Sequence, residues 1–115
     1  EKVAVMIQVT FIKNALDETC GFWMKGHAEY AEPGEDIVCA GVSALVINTI
    51  NSIEAFTEDV FADDVQKQEE DVVFFAISSS PVSERSKLLL DSLILGLKGI
   101  EEDYGKQFIK LTLAD

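Results

Sequence analysis

A thiol beside an imidazole is the smallest kit for covalent acyl transfer, a nucleophile with its base. This chain has one histidine, His27, and two cysteines, Cys20 and Cys39. His27 lies in the run Gly26-His27-Ala28-Glu29-Tyr30. Cys39 lies in Gly34-Glu35-Asp36-Ile37-Val38-Cys39-Ala40-Gly41-Val42-Ser43. Glu32-Pro33-Gly34 is a strong local breaker, so Cys39 falls in the first or second turn of the helix that follows. Unpaired N–H groups at a helix start favour a thiolate, and a neighbouring imidazolium favours it further. Glu35 and Asp36 act in the opposite sense. His27 precedes Cys39 by twelve positions. A loop between them can fold back and bring a strand end to the helix start. Gly26 and Gly34 suit such a loop, where unusual backbone angles are needed.

Other residues stand near this pair. Asp36 and Ser43 are three before and four after Cys39, so all three share a helix face. Asp36 either orients the His27 ring or caps the helix. Ser43 either donates to the thiolate or packs as a small helix residue. Cys20 is expected to be a structural thiol on a strand. The ordinary reading of a cysteine on an apolar helix is an inert core residue. The ordinary reading of a lone histidine after a strand is a surface group.

The elements that must position these side chains follow from the hydropathy pattern. Residues 3–13 alternate, with Val5, Ile7, Val9 and Phe11 on one face, which predicts a strand. Residues 14–18 are turn-like, and residues 20–25 form a second strand of a hairpin. From Glu35 a long helix runs to about Phe56. Val38, Val42, Leu45, Val46, Thr49 and Ile53 make its main stripe. Ile37, Ala40, Ala44 and Ile47 widen it, so more than one side should be covered, by a second helix or a second subunit. Residues 57–71 are acidic, with an edge strand near Val60, Phe61 and Val65 and a turn at 68–71. Residues 71–78 are a continuous apolar run, which predicts a strand covered on both faces. Ser80-Pro81 reads as an N-cap and first helical residue. The second long helix ends at Gly105. Residues 106–113 form a last strand. The order β-β-α-(β)-β-α-β predicts an α/β (α+β) fold: two layers, a mixed or mostly antiparallel sheet, and two long helices.

Composition narrows the classes. At 115 residues the chain is expected to be one domain, residues 1–115. Met6 reads as the natural start, and residues 1–5 carry little weight. The apolar share of 48% predicts a packed globule. No apolar run approaches the roughly 20 residues that span a bilayer, and no signal segment is visible, so no membrane partner is expected. The net charge of −12 argues against direct contact with nucleic acid. One histidine and no Cys-x-x-Cys pair argue against a metal site, and no cofactor is expected. Reduced cytoplasmic thiols are the expectation.

The two motifs together resemble the bacterial ribosomal-processing cysteine protease family, Prp. Its hallmark is a Gly-His-Ala element followed by a Gly-x-Asp-Ile-Val-Cys-Ala-x-Val-Ser helix start. Gly26-His27-Ala28 and the stretch from Gly34 to Ser43 match it in identity and spacing. Asn48 and Asn51, the second helix, and Glu101-Glu102-Asp103-Tyr104 before the last strand are also similar. Lys25 and Pro33 depart from the common pattern. The resemblance implies a cysteine endopeptidase that removes a short N-terminal extension from a large-subunit ribosomal protein. It implies Cys39 as nucleophile, His27 as base and a homodimer. It implies a substrate segment rich in aromatics and followed by basic residues. The acidic side chains between 54 and 71 are either a solvated face or an attraction for such a peptide. Two other classes remain. One is a non-catalytic ribosome-assembly protein with Cys39 buried. The other is a redox sensor that pairs Cys20 with Cys39.

Overall fold

Alternation in the first strand sets the sheet. The structure is a computed structural model. It describes residues 7–26, 35–65, 72–105 and 108–113, with the backbone alone at 35, 36, 64 and 65. Strand β1 (Ile7–Lys13) buries Ile7, Val9 and Phe11 and turns Gln8 and Thr10 to the other face. Strand β2 (Thr19–Lys25) pairs antiparallel with it, Phe22 opposite Phe11 and Met24 opposite Val9. The turn between them is tied by Asn14. Its Oδ1 accepts from the N–H of Leu16 at 3.0 Å and of Glu18 at 2.9 Å, an Asx turn.

The remaining elements are α1 (Glu35–Phe56), β3 (Phe61–Val65), β4 (Val73–Ile77), α2 (Glu84–Tyr104) and β5 (Ile109–Leu113). The predicted order and both helices are present. The sheet runs β3-β4-β2-β1-β5, antiparallel throughout except for the parallel β1–β5 pair. The crossovers β2-α1-β3 and β4-α2-β5 each join parallel strands. A common, right-handed sense places both helices on one face. Phe11, Phe22, Phe75 and Phe61 form an aromatic row on that face, with centroids 5.0 to 5.7 Å apart. Losing the buried ring of Phe11, Phe22 or Phe75 would cost about 3 to 5 kcal/mol.

Three expectations are corrected. Strand β4 is not covered on both faces: Phe75 and Ile77 are buried, whereas Phe74 is 37% exposed. Phe74 pairs with Trp23, and Trp23 with Thr10, on the face away from the helices. The apolar run reflected ring-bearing residues on an open sheet face, not a second cover. The cap of α2 is Ser83, not Ser80, and the helix starts at Glu84 rather than Pro81. The Ser83 hydroxyl accepts from the Ser86 N–H, and it donates to Asp59 Oδ2 at 2.6 Å, so a partner distant in sequence chose the cap. Finally, Ile37–Phe56 is long and apolar enough to cross a bilayer by length and composition alone. Here it is a core helix, with Val38, Val42, Val46 and Ile53 buried against the sheet side.

Glycine resolves one tight approach. The ladder skips Cys20, because Ile12 pairs with Gly21 and Lys13 with Thr19. That bulge turns Gly21 toward β4, where an added Cβ would lie 2.1 Å from the Phe75 carbonyl oxygen. It also explains why Cys20, Gly21 and Phe22 are buried in succession.

Candidate active site

The site candidates sit where β2 hands over to α1. Strand β2 ends at Lys25, and Gly26 follows with φ of 97°, a conformation that side chains rarely adopt. His27 and Gly34 lie outside the described residues, as does the loop between them. Helix α1 begins at Glu35, so Cys39 is its fifth residue, as the breaker at Gly34 predicted. Its own amide is among the first that can reach a carbonyl four residues back. The amides of the turn before it have no such partner. The Asp36 side chain lies outside the description.

Helical spacing decides which flank Cys39 occupies. An added Cβ at Gly41 would meet Ile100 Cδ1 of α2 at 3.4 Å, and one at Gly96 of α2 would meet Leu45 Cδ1 at 3.0 Å. Gly41 and Leu45 therefore face α2. Cys39 is two residues from Gly41, about 200° around the helix, so it lies on the opposite flank. Ser43, four residues on, shares that flank. Both are half-buried, and Cys39 packs against the rim of the core. A peptide can reach such a sulfur, while the helix fixes its place.

Cys20 is different in every respect. It is 6% exposed, and burial pushes its thiol pKa up, with the Glu18 charge adding to the rise and a backbone hydrogen bond opposing it. It is the second residue of β2, at the end of the strand away from the loop that leads to α1. Both thiols are free.

Sequence reasoning missed the anchor of the β1–β2 turn. Glu18 Oε1 accepts from Asn14 Nδ2 and from the Val82 N–H, each at 3.0 Å. Its Oε2 meets Lys87 Nζ at 2.8 Å. These contacts, led by Lys87, hold the Glu18 carboxyl down at about 2. The Lys87 ammonium is raised in turn, chiefly by the same bond. The Val82 partner is 64 positions away, so nothing local marks it. A surface hollow of about 230 Å³ opens beside Glu18 and Lys87, and another of about 360 Å³ beside Phe56 and Arg85. Both lie at the far end of the helical layer from Cys39.

Known proteins share this architecture. A crystal structure of the ribosomal processing protease Prp from S. aureus, holding a covalently linked product peptide, superposes with a TM-score of 0.80. It is 28% identical and covers 95% of this chain and all of its own. SMU.848 from Streptococcus mutans gives 0.81 at 27% identity, covering 94% of this chain and 96% of its own. The ribosomal processing cysteine protease Prp of Bacillus subtilis (strain 168) is 34% identical over 109 residues, 93% of this chain and 96% of the relative. The Staphylococcus aureus (strain Mu50) protein of that name is 31% identical over 101 residues, 88% of this chain and 93% of its own. The family description Cysteine protease Prp matches residues 6–110. With that description matching residues 6–110 and relatives 31 to 34% identical over most of its length, the chain belongs to the Prp family of cysteine proteases.

Proposed function

We propose that this protein is the endopeptidase that trims the N-terminal extension of a large-subunit ribosomal protein, with Cys39 as nucleophile and His27 as base. One observation carries the assignment of the sulfur. Cys39 is half-buried on the second turn of α1, while Cys20 is enclosed in the core. A crystal structure of the S. aureus relative holds a covalently linked product peptide, which supports a nucleophilic side chain. In the sequence His27 follows Gly26, the residue after the end of β2, and precedes the first residue of α1 by eight positions.

The reaction follows ordinary thiol chemistry. His27 takes the Sγ proton, and the sulfur attacks the scissile carbonyl carbon. The oxygen becomes an oxyanion, stabilised by free N–H groups at the α1 start. The C–N bond breaks, and the imidazolium gives its proton to the leaving amine. Water then adds to the thioester with its proton passing to His27. The C–S bond breaks and the acid is released. Asp36 orients the imidazole in this scheme. Ser43 faces the thiolate from the next turn, and Gly26 and Gly34 border the site. No metal or cofactor enters any step.

The wider assignments rest on the same reading. A substrate made on the ribosome places the enzyme in the cytoplasm. Ile37, Ala40, Ala44 and Ile47 form an exposed apolar strip on the outer side of α1, with Ile37 58% and Ile47 57% exposed. A second copy covering that strip would make the homodimer. The deciding experiment is cleavage of a synthetic peptide with an aromatic run followed by lysines. Wild type should cut it, and Cys39→Ala and His27→Ala should lose at least about 10³-fold in rate. Equal cleavage by wild type and Cys39→Ala would end the proposal.

A further inference from the structure

Strand β3 leaves a row of unused peptide groups beside the flank of α1 that carries Cys39. The Ser78 N–H donates to the Val60 carbonyl at 2.7 Å, and the β3–β4 register continues from there. In an antiparallel ladder, bonded and non-bonded pairs alternate. The Val60 carbonyl faces Ser78 while its N–H donates to Ser79 Oγ at 2.7 Å, and the alternation from that carbonyl turns the peptide groups of Ala62 and Asp64 toward β4 as well. Phe61, Asp63 and Val65 turn theirs outward. Among the described residues, nothing pairs with that edge.

The edge runs toward the thiol. Helix α2 packs on β2 and β5, and α1 crosses from β2 to β3 on the same face. The side of α1 opposite α2 therefore overlooks β4 and β3. The buried stretch of α1 from Ile53 back to Val38 is about 22 Å long. Strand β3 descends about 13 Å alongside it from Phe61 to Val65. Cys39 thus lies at, or just past, the Val65 end. An extended peptide of about seven residues laid on the edge would cover that span. The other free edge, β5, lies at the opposite side of the sheet from this flank.

Charge selects the occupant. Two of the five residues of β3 are Asp63 and Asp64. Residues 54–71 hold eight acidic side chains against one lysine, Lys67. A second copy of β3 would set like charges side by side, which is unfavourable. A basic extended peptide meets both demands, since backbone pairing supplies hold and the carboxylates supply preference.

We infer that the peptide substrate binds as a sixth strand on the outer edge of β3. The outward peptide groups of Phe61, Asp63 and Val65 hold it, its basic residues lie along Asp63, and its chain continues to Cys39. This inference rests on the protease reading above. Asp63→Pro tests it, because it deletes an outward N–H and no ladder bond. Asp63→Ala is the control for the lost charge. With the lysine-bearing peptide, Asp63→Pro should raise KM about tenfold over Asp63→Ala, with kcat within about twofold and melting temperature unchanged. Independently, N-methylation along the peptide should weaken cleavage at every second position, with the period of a paired strand. Should Asp63→Pro not fold, this scan decides alone. Equal KM for the two variants, or a scan without a two-residue period, overturns strand addition. Cys39-dependent cleavage would persist in that case and leave the protease reading standing. Absence of cleavage by wild type would overturn both.

Discussion

Gly21→Ala is the severest of the glycine-to-alanine changes at Gly21, Gly41, Gly96 and Gly99. The new methyl would stand 2.1 Å from the Phe75 oxygen and 2.7 Å from the Ala76 Cα. Both are backbone atoms of the neighbouring strand, so no side chain can swing aside. Relief requires β2 and β4 to part by about 1 Å from their normal 4.7 to 4.9 Å spacing. A ladder bond stretched that far is no longer a hydrogen bond. Two lost bonds at about 1 kcal/mol each, with overpacking of about 1 to 3 kcal/mol, give about 3 to 5 kcal/mol. For a chain of this length that lowers the melting temperature by about 12 to 20 °C. Gly99→Ala supplies the contrast. It lies inside α2 with nothing within 4 Å of its Cβ, so the better helix former should stabilise by up to about 1 kcal/mol. Thermal and urea unfolding of both variants measure the difference. A Gly21→Ala protein within 1 kcal/mol of wild type would show that the bulge does not force β2 onto β4, and the reasoning would fail.

Two further outcomes follow from the same contacts. The Glu18 carboxyl titrates at about 2 in the folded protein against an ordinary 4.5. A depressed pKa means that its stabilisation is complete above about 4.5 and is lost as pH falls toward 2. Lys87→Met removes the leading cause, so its stability should fall less than that of wild type between pH 5 and pH 2.5 in melts across that range. Parallel curves would contradict the assigned role of Lys87. Iodoacetamide near neutral pH should add one label at Cys39 and none at Cys20 until the protein is unfolded, because burial disfavours the Cys20 thiolate. Mass mapping that found Cys20 labelled as fast as Cys39 would refute that contrast.

Much of the architecture was legible because its signals are local. Alternation at Ile7, Val9 and Phe11 gave a one-sided strand, and Asn14 gave the turn. Gly105 marked the end of α2, where its N–H donates to Glu101 O. The place of Cys39 followed from a breaker and a helical run. What failed was long-range. Ser80-Pro81 and Ser83 both carry capping chemistry, and Asp59 settled the matter from across the fold. The Phe74-Phe75 run looked two-sided because sequence does not tell a covered face from an open one bearing rings. Nothing near Glu18 names Val82 or Lys87. The strand order, and with it the meaning of the acidic β3 edge, appears only when the crossovers are placed.

Helix α1 shows why these failures and successes belong together. From Ile37 to Ile53 it carries no charge, and it is long and apolar enough to span a bilayer. Its girth has four sides with different neighbours. Val38, Val42, Val46 and Ile53 meet the sheet, and Gly41 and Leu45 meet α2. Ile37, Ala40, Ala44 and Ile47 face outward. Cys39 and Ser43 occupy the remaining flank. Each residue added or removed before Cys39 would turn it by about 100°, toward the core or onto the outward strip. The motif spacing around Cys39 is therefore a statement about rotation as much as about chemistry. A thiol on a packed helix is aimed by three other faces, and only the flank over β3 and β4 leaves it beside an edge where a peptide can lie.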